Sequence, residues 1–230
     1  MGQRHQIFIK VNNPLKLKRS YASKEDITKA RKIFGSGKYT TIAIHHQWLY
    51  GRSAIFNIGH ILNITKNMND YNNPFSDDYS FNSLDEYIKH VMMLLQVQTN
   101  PLHPRGIGIE RMHFLNTDCI DDDGKYSRGW DMRLDFRNGD NNDGISIIDT
   151  IERKYCLINI FNQYIGENNV SGLPSMLPSS AEDYAHCYYS DKAEIRDNIL
   201  ACLPLKDYSL LSIKEVSKMF PKMQLQKELA

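Results

Sequence analysis

The chain has 230 residues, of which 41% are hydrophobic and 24% charged, and a formal net charge of +1. That apolar content excludes a disordered chain, and the length suits one generous core. No apolar run reaches the roughly 20 residues needed to cross a bilayer, and the near-neutral bulk charge does not argue for nucleic acid.

Met1-Gly2-Gln3-Arg4-His5 opens polar and basic, and is expected to be neither a signal nor a transit peptide. Gln6 stands where N-myristoylation wants Ser or Thr. Gln6 to Val11 is β-prone and reads as a strand that Asn12-Asn13-Pro14 ends. Ser23 caps a helix running to about Phe34, with Asp26 at the capping-box position and Ile27, Ala30, Ile33 and Phe34 along one face. Gly35-Ser36-Gly37 closes it. Tyr39 to Trp48 is the clearest strand, Gly51 follows, and Ile55, Ile58, Ile61 and Leu62 fit a second helix.

Residues 67–82, rich in Asn, Asp, Tyr and Ser, read as a loop. Ser83-Leu84-Asp85-Glu86 opens another helix by a capping box, with Tyr87, Val91, Leu94 and Leu95 as its stripe and Pro101 and Pro104 as its stop. Asp131 to Phe136, Ile145 to Asp149 and Tyr155 to Phe161 are expected strands, and residues 166–180 a loop. Helices near 181–188, 192–202 and 212–219 complete the chain, the last capped by Ser212 with Glu215. The expected fold is α+β: a mixed or largely antiparallel sheet with helices packed on one side, in one domain over residues 1–230, with a subdivision near residues 100–105 as the alternative.

Charge is unevenly placed. Residues 1–40 carry ten basic groups against Glu25 and Asp26, a balance of +8, and residues 67–150 carry a balance of −8. The basic region can meet phosphate groups or face the chain's own acidic middle; both readings stand at this point. Cys119, Cys156, Cys187 and Cys202 lie at least 15 residues apart without a CxxC pair, which reads as buried or half-buried free thiols in a reducing compartment.

Ile44-His45-His46-Gln47-Trp48-Leu49-Tyr50-Gly51 is the most informative segment. Adjacent strand residues point to opposite faces, so His45 and His46 do not chelate one metal together without a bulge. If the first two strands pair, Arg4, His5, His46, Trp48 and Arg52 are candidate ligand-binding residues gathered at one end of the sheet. Gly51 there opens a helix whose free N–H groups attract anions. The other reading makes the same residues structural.

The turns at Asp121 to Gly124 and Asn138 to Gly144 miss the ligand spacing of a calcium loop and read as exposed turns. No Walker loop, GxGxxG, GxSxG or HExxH is present, so no metal site, cofactor or catalytic residue is assigned.

With Gly2-Gln3-Arg4 and His45-His46-Gln47-Trp48-Leu49-Tyr50-Gly51 in view, the first 65 or so residues resemble a loose group of small bacteriophage and viral accessory proteins. These open Met-Gly-x-Arg, enter a strand, and carry a later strand with a His-Trp-x-Gly-like ending. Here Gln47 separates His46 from Trp48, and a basic insertion lies between the strands. The resemblance implies a phage-encoded accessory protein acting in the host cytoplasm. The expectation is a binding module for a host component or a phosphorylated small molecule, away from membranes. An enzyme using histidine acid–base chemistry on a phosphoester, and a virion-associated structural or cargo protein, are the alternatives.

Overall fold

The computed structural model describes residues 5–16, 23–46, 51–66, 73–76, 79–95, 109–115, 144–158, 178–188 and 192–219. They form an α+β fold: one seven-stranded mixed sheet with six α-helices among the described residues. The strands are β1 (His5–Asn12), β2 (Tyr39–His46), β3 (Ile109–Leu115), β4 (Ile145–Asp149), β5 (Lys154–Ile158), β6 (Pro178–Ser179) and β7 (Ser209–Leu210). The helices are α1 (Lys24–Phe34), α2 (Gly51–Lys66), α3 (Leu84–Leu94), α4 (Ala181–Tyr188), α5 (Ala193–Ala201) and α6 (Ile213–Met219).

The sheet order is β3-β2-β1-β4-β5-β6, and β7 shares the outer edge of β5 with β6. β1 pairs antiparallel with β2, His5 opposite His46 and Asn12 opposite Tyr39. It pairs parallel with β4, Gln6 opposite Ile145 and Lys10 opposite Asp149. β1 is bonded along both edges, and both of its faces are covered as well. Ile7, Phe8, Ile9 and Val11 are all fully buried.

The period of two sorts each strand into two sets. Ile7, Ile9, Val11, Ile42, Ile44, Ile148, Tyr155 and Leu157 join one core cluster with residues of the first five helices: Ala30 and Phe34, Ile55 to Leu62, Tyr87 and Val91, Tyr184, and Ile199. Those five helices therefore pack on one face. The alternate residues Phe8, Ala43, Ile147, Cys156 and Ile158 are equally buried on the other face. α6 belongs to that side, because its Glu215 pairs with Lys154, which alternates with Tyr155 and Leu157.

The helix starts follow the capping chemistry written in the chain. Ser23 accepts the Asp26 N–H at 3.0 Å, Ser83 accepts the Glu86 N–H at 3.2 Å while Glu86 accepts the Asn82 N–H, and Ser212 and Glu215 cap α6 reciprocally. Gly35 ends α1 with φ 72°. The ring cluster of Phe34, Tyr79, Phe81 and Tyr87 locks α1 to α3, with Phe34 and Tyr87 edge to face at 5.8 Å.

Four elements differ from the sequence expectation. Ile109–Leu115 forms the strand β3, which the sequence reading does not include although Arg111-Met112-His113-Phe114 alternates polar with apolar; it pairs antiparallel with β2. Residues 178–179 and 209–210 form two-residue bridges to β5, too short for any pattern to reveal. α3 ends at Leu94, short of Pro101. The expected strand at 131–136, the turn at 121–124, the turn at 138–144 except for its last residue, and the subdivision near 100–105 lie outside the described residues; Gly144, expected in an exposed turn, is buried at the entry to β4.

Gly144, at the entry to β4, has φ +103°, and a Cβ placed there meets the Ile158 carbonyl oxygen at 2.5 Å. Gly144→Ala is expected to cost at least about 1–3 kcal/mol through strain and steric contact together, read as a lowered urea midpoint at unchanged m-value.

Candidate functional site

The two ends of β1 carry different chemistry. At its start the antiparallel register sets His5 directly opposite His46, while the parallel β4 contributes Ser146. His5 Nε2 and Ser146 Oγ are 2.7 Å apart, and both side chains are fully buried. α2 begins five residues beyond His46, with Arg52 in its first turn. The pairing on which the imidazole cluster depends is therefore present in the backbone. His5 is the one candidate of the five whose side chain is described. Arg4 and Trp48 lie outside the described residues, as do the side chains of His46 and Arg52. His45 and His46 hold consecutive positions opposite Gln6 and His5, with a register shift between them on the β3 side.

At the other end of β1, on the face away from the main core, lies a cleft of about 630 Å³. Its size is that of a small-molecule site. β1 and β2 supply Lys10, Tyr39 and Thr41, the α1–β2 loop supplies Lys38, the β4–β5 turn supplies Asp149 and Glu152, and α6 supplies Glu215, Lys218 and Met219. The Lys10 ammonium lies 4.8 Å and the Lys38 ammonium 5.1 Å from the centroid of the Tyr39 ring. At that range the electron-rich face of the ring attracts both cations.

Three interactions hold this geometry. Asn13, fully buried just past β1, donates from Nδ2 to the carbonyls of Phe34, Gly35 and Gly37 at 3.2, 3.1 and 2.8 Å, and its own N–H reaches the Lys38 carbonyl. One amide thus fixes the loop that presents Lys38 and Tyr39. Asp149 accepts the N–H groups of Ile151 and Glu152 through Oδ1, shaping the turn, and the Lys10 ammonium at 2.6 Å through Oδ2. Its carboxylate is nearly buried and fully engaged. On the α6 wall, Lys154 pairs with Glu215. The Lys154 ammonium, followed by the backbone N–H and hydroxyl of Ser212, holds the Glu215 carboxyl at about 2, against 4.5 for an ordinary glutamate. Lys218 enters the cleft as an exposed ammonium from the next turn of α6.

Lys10 and Asp149 draw the basic N-terminal region and the acidic middle together at one point, the counterpart of the reading in which the basic region faces the chain's own acidic middle. Sequence reasoning missed Ser146, Asn13, Lys10, Tyr39 and Asp149. Lys10 did carry a signal, a charge inside an apolar strand. Asn13 carried none beyond its turn propensity. Of the cysteines, Cys156 is buried, and burial pushes its thiol up. Cys202 is exposed at the end of α5, contrary to the expected burial, because it follows the helix's last turn on its solvent side.

Two predictions follow from these pairs. Lys10→Met leaves the Asp149 carboxylate without its cation and is expected to cost about 1–3 kcal/mol in urea unfolding. Adding Asp149→Asn, which keeps the Oδ1 acceptor for the turn, is expected to restore most of the loss. Because the Glu215 carboxyl is depressed in the folded state, its contribution is full above about pH 4.5 and is lost as the pH falls toward 2. Glu215→Gln is expected to flatten that part of the stability–pH curve. No protein-family model, curated protein or solved structure matches this chain.

Proposed function

We propose that the chain is a binding module for a phosphorylated small molecule, seated in the cleft at the Lys10 end of the sheet. The observation that carries this reading is the Tyr39 ring, with lysine ammoniums 4.8 and 5.1 Å from its centroid, at a cleft of about 630 Å³. Asp149 and Glu215 have cations of their own in Lys10 and Lys154, and the other charged residues of the lining are Lys38, Lys218 and Glu152, two ammoniums against one carboxylate. Lys218 then supplies an exposed ammonium for phosphate oxygens, and the partly buried Tyr39 supplies an apolar surface with a hydroxyl. The resemblance carried by Gly2-Gln3-Arg4 and the His45-to-Gly51 segment supports a phage-encoded accessory protein working in the host cytoplasm.

The second reading, an enzyme, is favoured by the 2.7 Å contact between His5 Nε2 and Ser146 Oγ, within the reach of a general base and a nucleophile. Against it, both groups are fully buried, where substrate has no approach. The same contact satisfies two core polar groups that would otherwise be costly.

Thermal-shift measurements in a series of phosphate monoesters and nucleotides test the binding reading. Wild-type protein is expected to rise in Tm, and Tyr39→Ala and Lys218→Ala are expected to lose most of that rise while keeping the ligand-free Tm within a few degrees. A series without any rise sinks the reading. Phosphate release from those esters that His5→Gln or Ser146→Ala abolishes would transfer the function to the enzyme reading.

A further inference from the structure

We propose that the phosphate ester of the Lys10-end cleft is that of a polyol, whose hydroxyls the Glu152 carboxylate takes; this rests on the cleft being a phosphate-ester site. Asp149 and Glu215 are matched by Lys10 and Lys154, but Glu152 and Lys218 form no ion pair among the described residues. Both line the cleft and both are exposed. One cleft thus holds a carboxylate and an ammonium that are matched neither by neighbours nor by each other. Such a pair complements a ligand with an anion at one end and hydrogen-bond donors at the other.

The carboxylate stands on fixed backbone. The Glu152 N–H donates to Asp149 Oδ1 at 3.0 Å, and the next carbonyl, that of Arg153, accepts the Ser209 N–H at 3.0 Å. Arg153 has φ 51°, a conformation that residues other than glycine rarely adopt, so the turn is held by its surroundings. β1 lies between β2, which brings Tyr39, and β4, which leads into the turn, and two strand spacings are about 10 Å. A ligand that touches both walls needs a body as well as a phosphate. Hydroxyls and an ammonium can both donate to a carboxylate, and the cleft favours hydroxyls. Lys10, Lys38 and Lys218 line it and repel a further cation, and the Tyr39 ring already has two ammoniums, 4.8 and 5.1 Å from its centroid. An ionised carboxylate only accepts, and its two oxygens suit a vicinal pair of hydroxyls.

Titration calorimetry with ribose 5-phosphate, 2-deoxyribose 5-phosphate, propyl phosphate and 2-aminoethyl phosphate tests the assignment. Wild-type protein is expected to bind ribose 5-phosphate at least about tenfold more tightly than propyl phosphate, with the deoxy sugar between them. Glu152→Gln is expected to lose most of that preference while binding propyl phosphate no more weakly than wild type, because a carboxylate has left an anion site. A general loss of fold weakens both esters and does not give that pattern. Adenosine monophosphate keeps the vicinal diol: binding at least as tight as ribose 5-phosphate assigns the polyol to a nucleotide, weaker binding to a free sugar phosphate. Equal wild-type affinity for ribose 5-phosphate and propyl phosphate overturns the proposal and leaves the cleft reading in place. A preference unchanged in Glu152→Gln also overturns it, as does tighter binding of 2-aminoethyl phosphate than of ribose 5-phosphate. No binding of any ester removes the cleft reading and this proposal together.

Discussion

β1 is bonded along both edges, antiparallel to β2 and parallel to β4, and helices cover one of its faces while the other is equally dry. Its polar side chains are buried or half-buried, and the partners that satisfy three polar groups on it or just past it shape the surrounding chain. His5 takes Ser146, Lys10 takes Asp149, and Asn13 takes three carbonyls of the α1–β2 connection. Satisfying this one strand sets the pairing of β4, the shape of the β4–β5 turn and the path of the chain from α1 into β2.

The consequences differ at the two ends. At the His5 end the demand is met between neighbouring strands, and the imidazole and hydroxyl close on each other without leaving an exposed atom. At the Lys10 end the demand is met by a turn and a loop, and between them a space remains. Its walls are held by unlike forces: hydrogen bonds of a buried amide on one side, ion pairs and a helix cap on the other. The Tyr39 ring lies between these walls, which is why the rim is both cationic and aromatic.

α1 precedes the loop that lines the cleft. Its buried face contributes Ala30 to the core and Phe34 to the ring cluster with Tyr87, and its opposite face is exposed. Packing on one side and a hydrogen-bonded C-terminal end give the exposed lysines and arginine a rigid base, so their spacing is set by helix geometry rather than by loop motion.

Much of the fold was legible in the chain itself. The capping pairs at Ser23, Ser83 and Ser212, the apolar stripes of α2 and α3, and the β-branched runs of β1, β2, β4 and β5 are local signals, because helix starts and strand alternation depend on residues a few positions apart. β3 carries a local signal too, the alternation of Arg111, Met112, His113 and Phe114, but only its pairing with β2 places it in the sheet. The candidate site was legible only in part. The segment around His46 read as a strand whose pairing with the first was a condition of the site, and no local rule links Lys10 to Asp149, 139 residues away, or Asn13 to the loop after α1. The sequence by itself determined which elements form and where charge accumulates. Only the tertiary structure decided which charges are matched and which face a cleft, since matching depends on the parallel register of β4 on β1 and on which face of the sheet each turn meets.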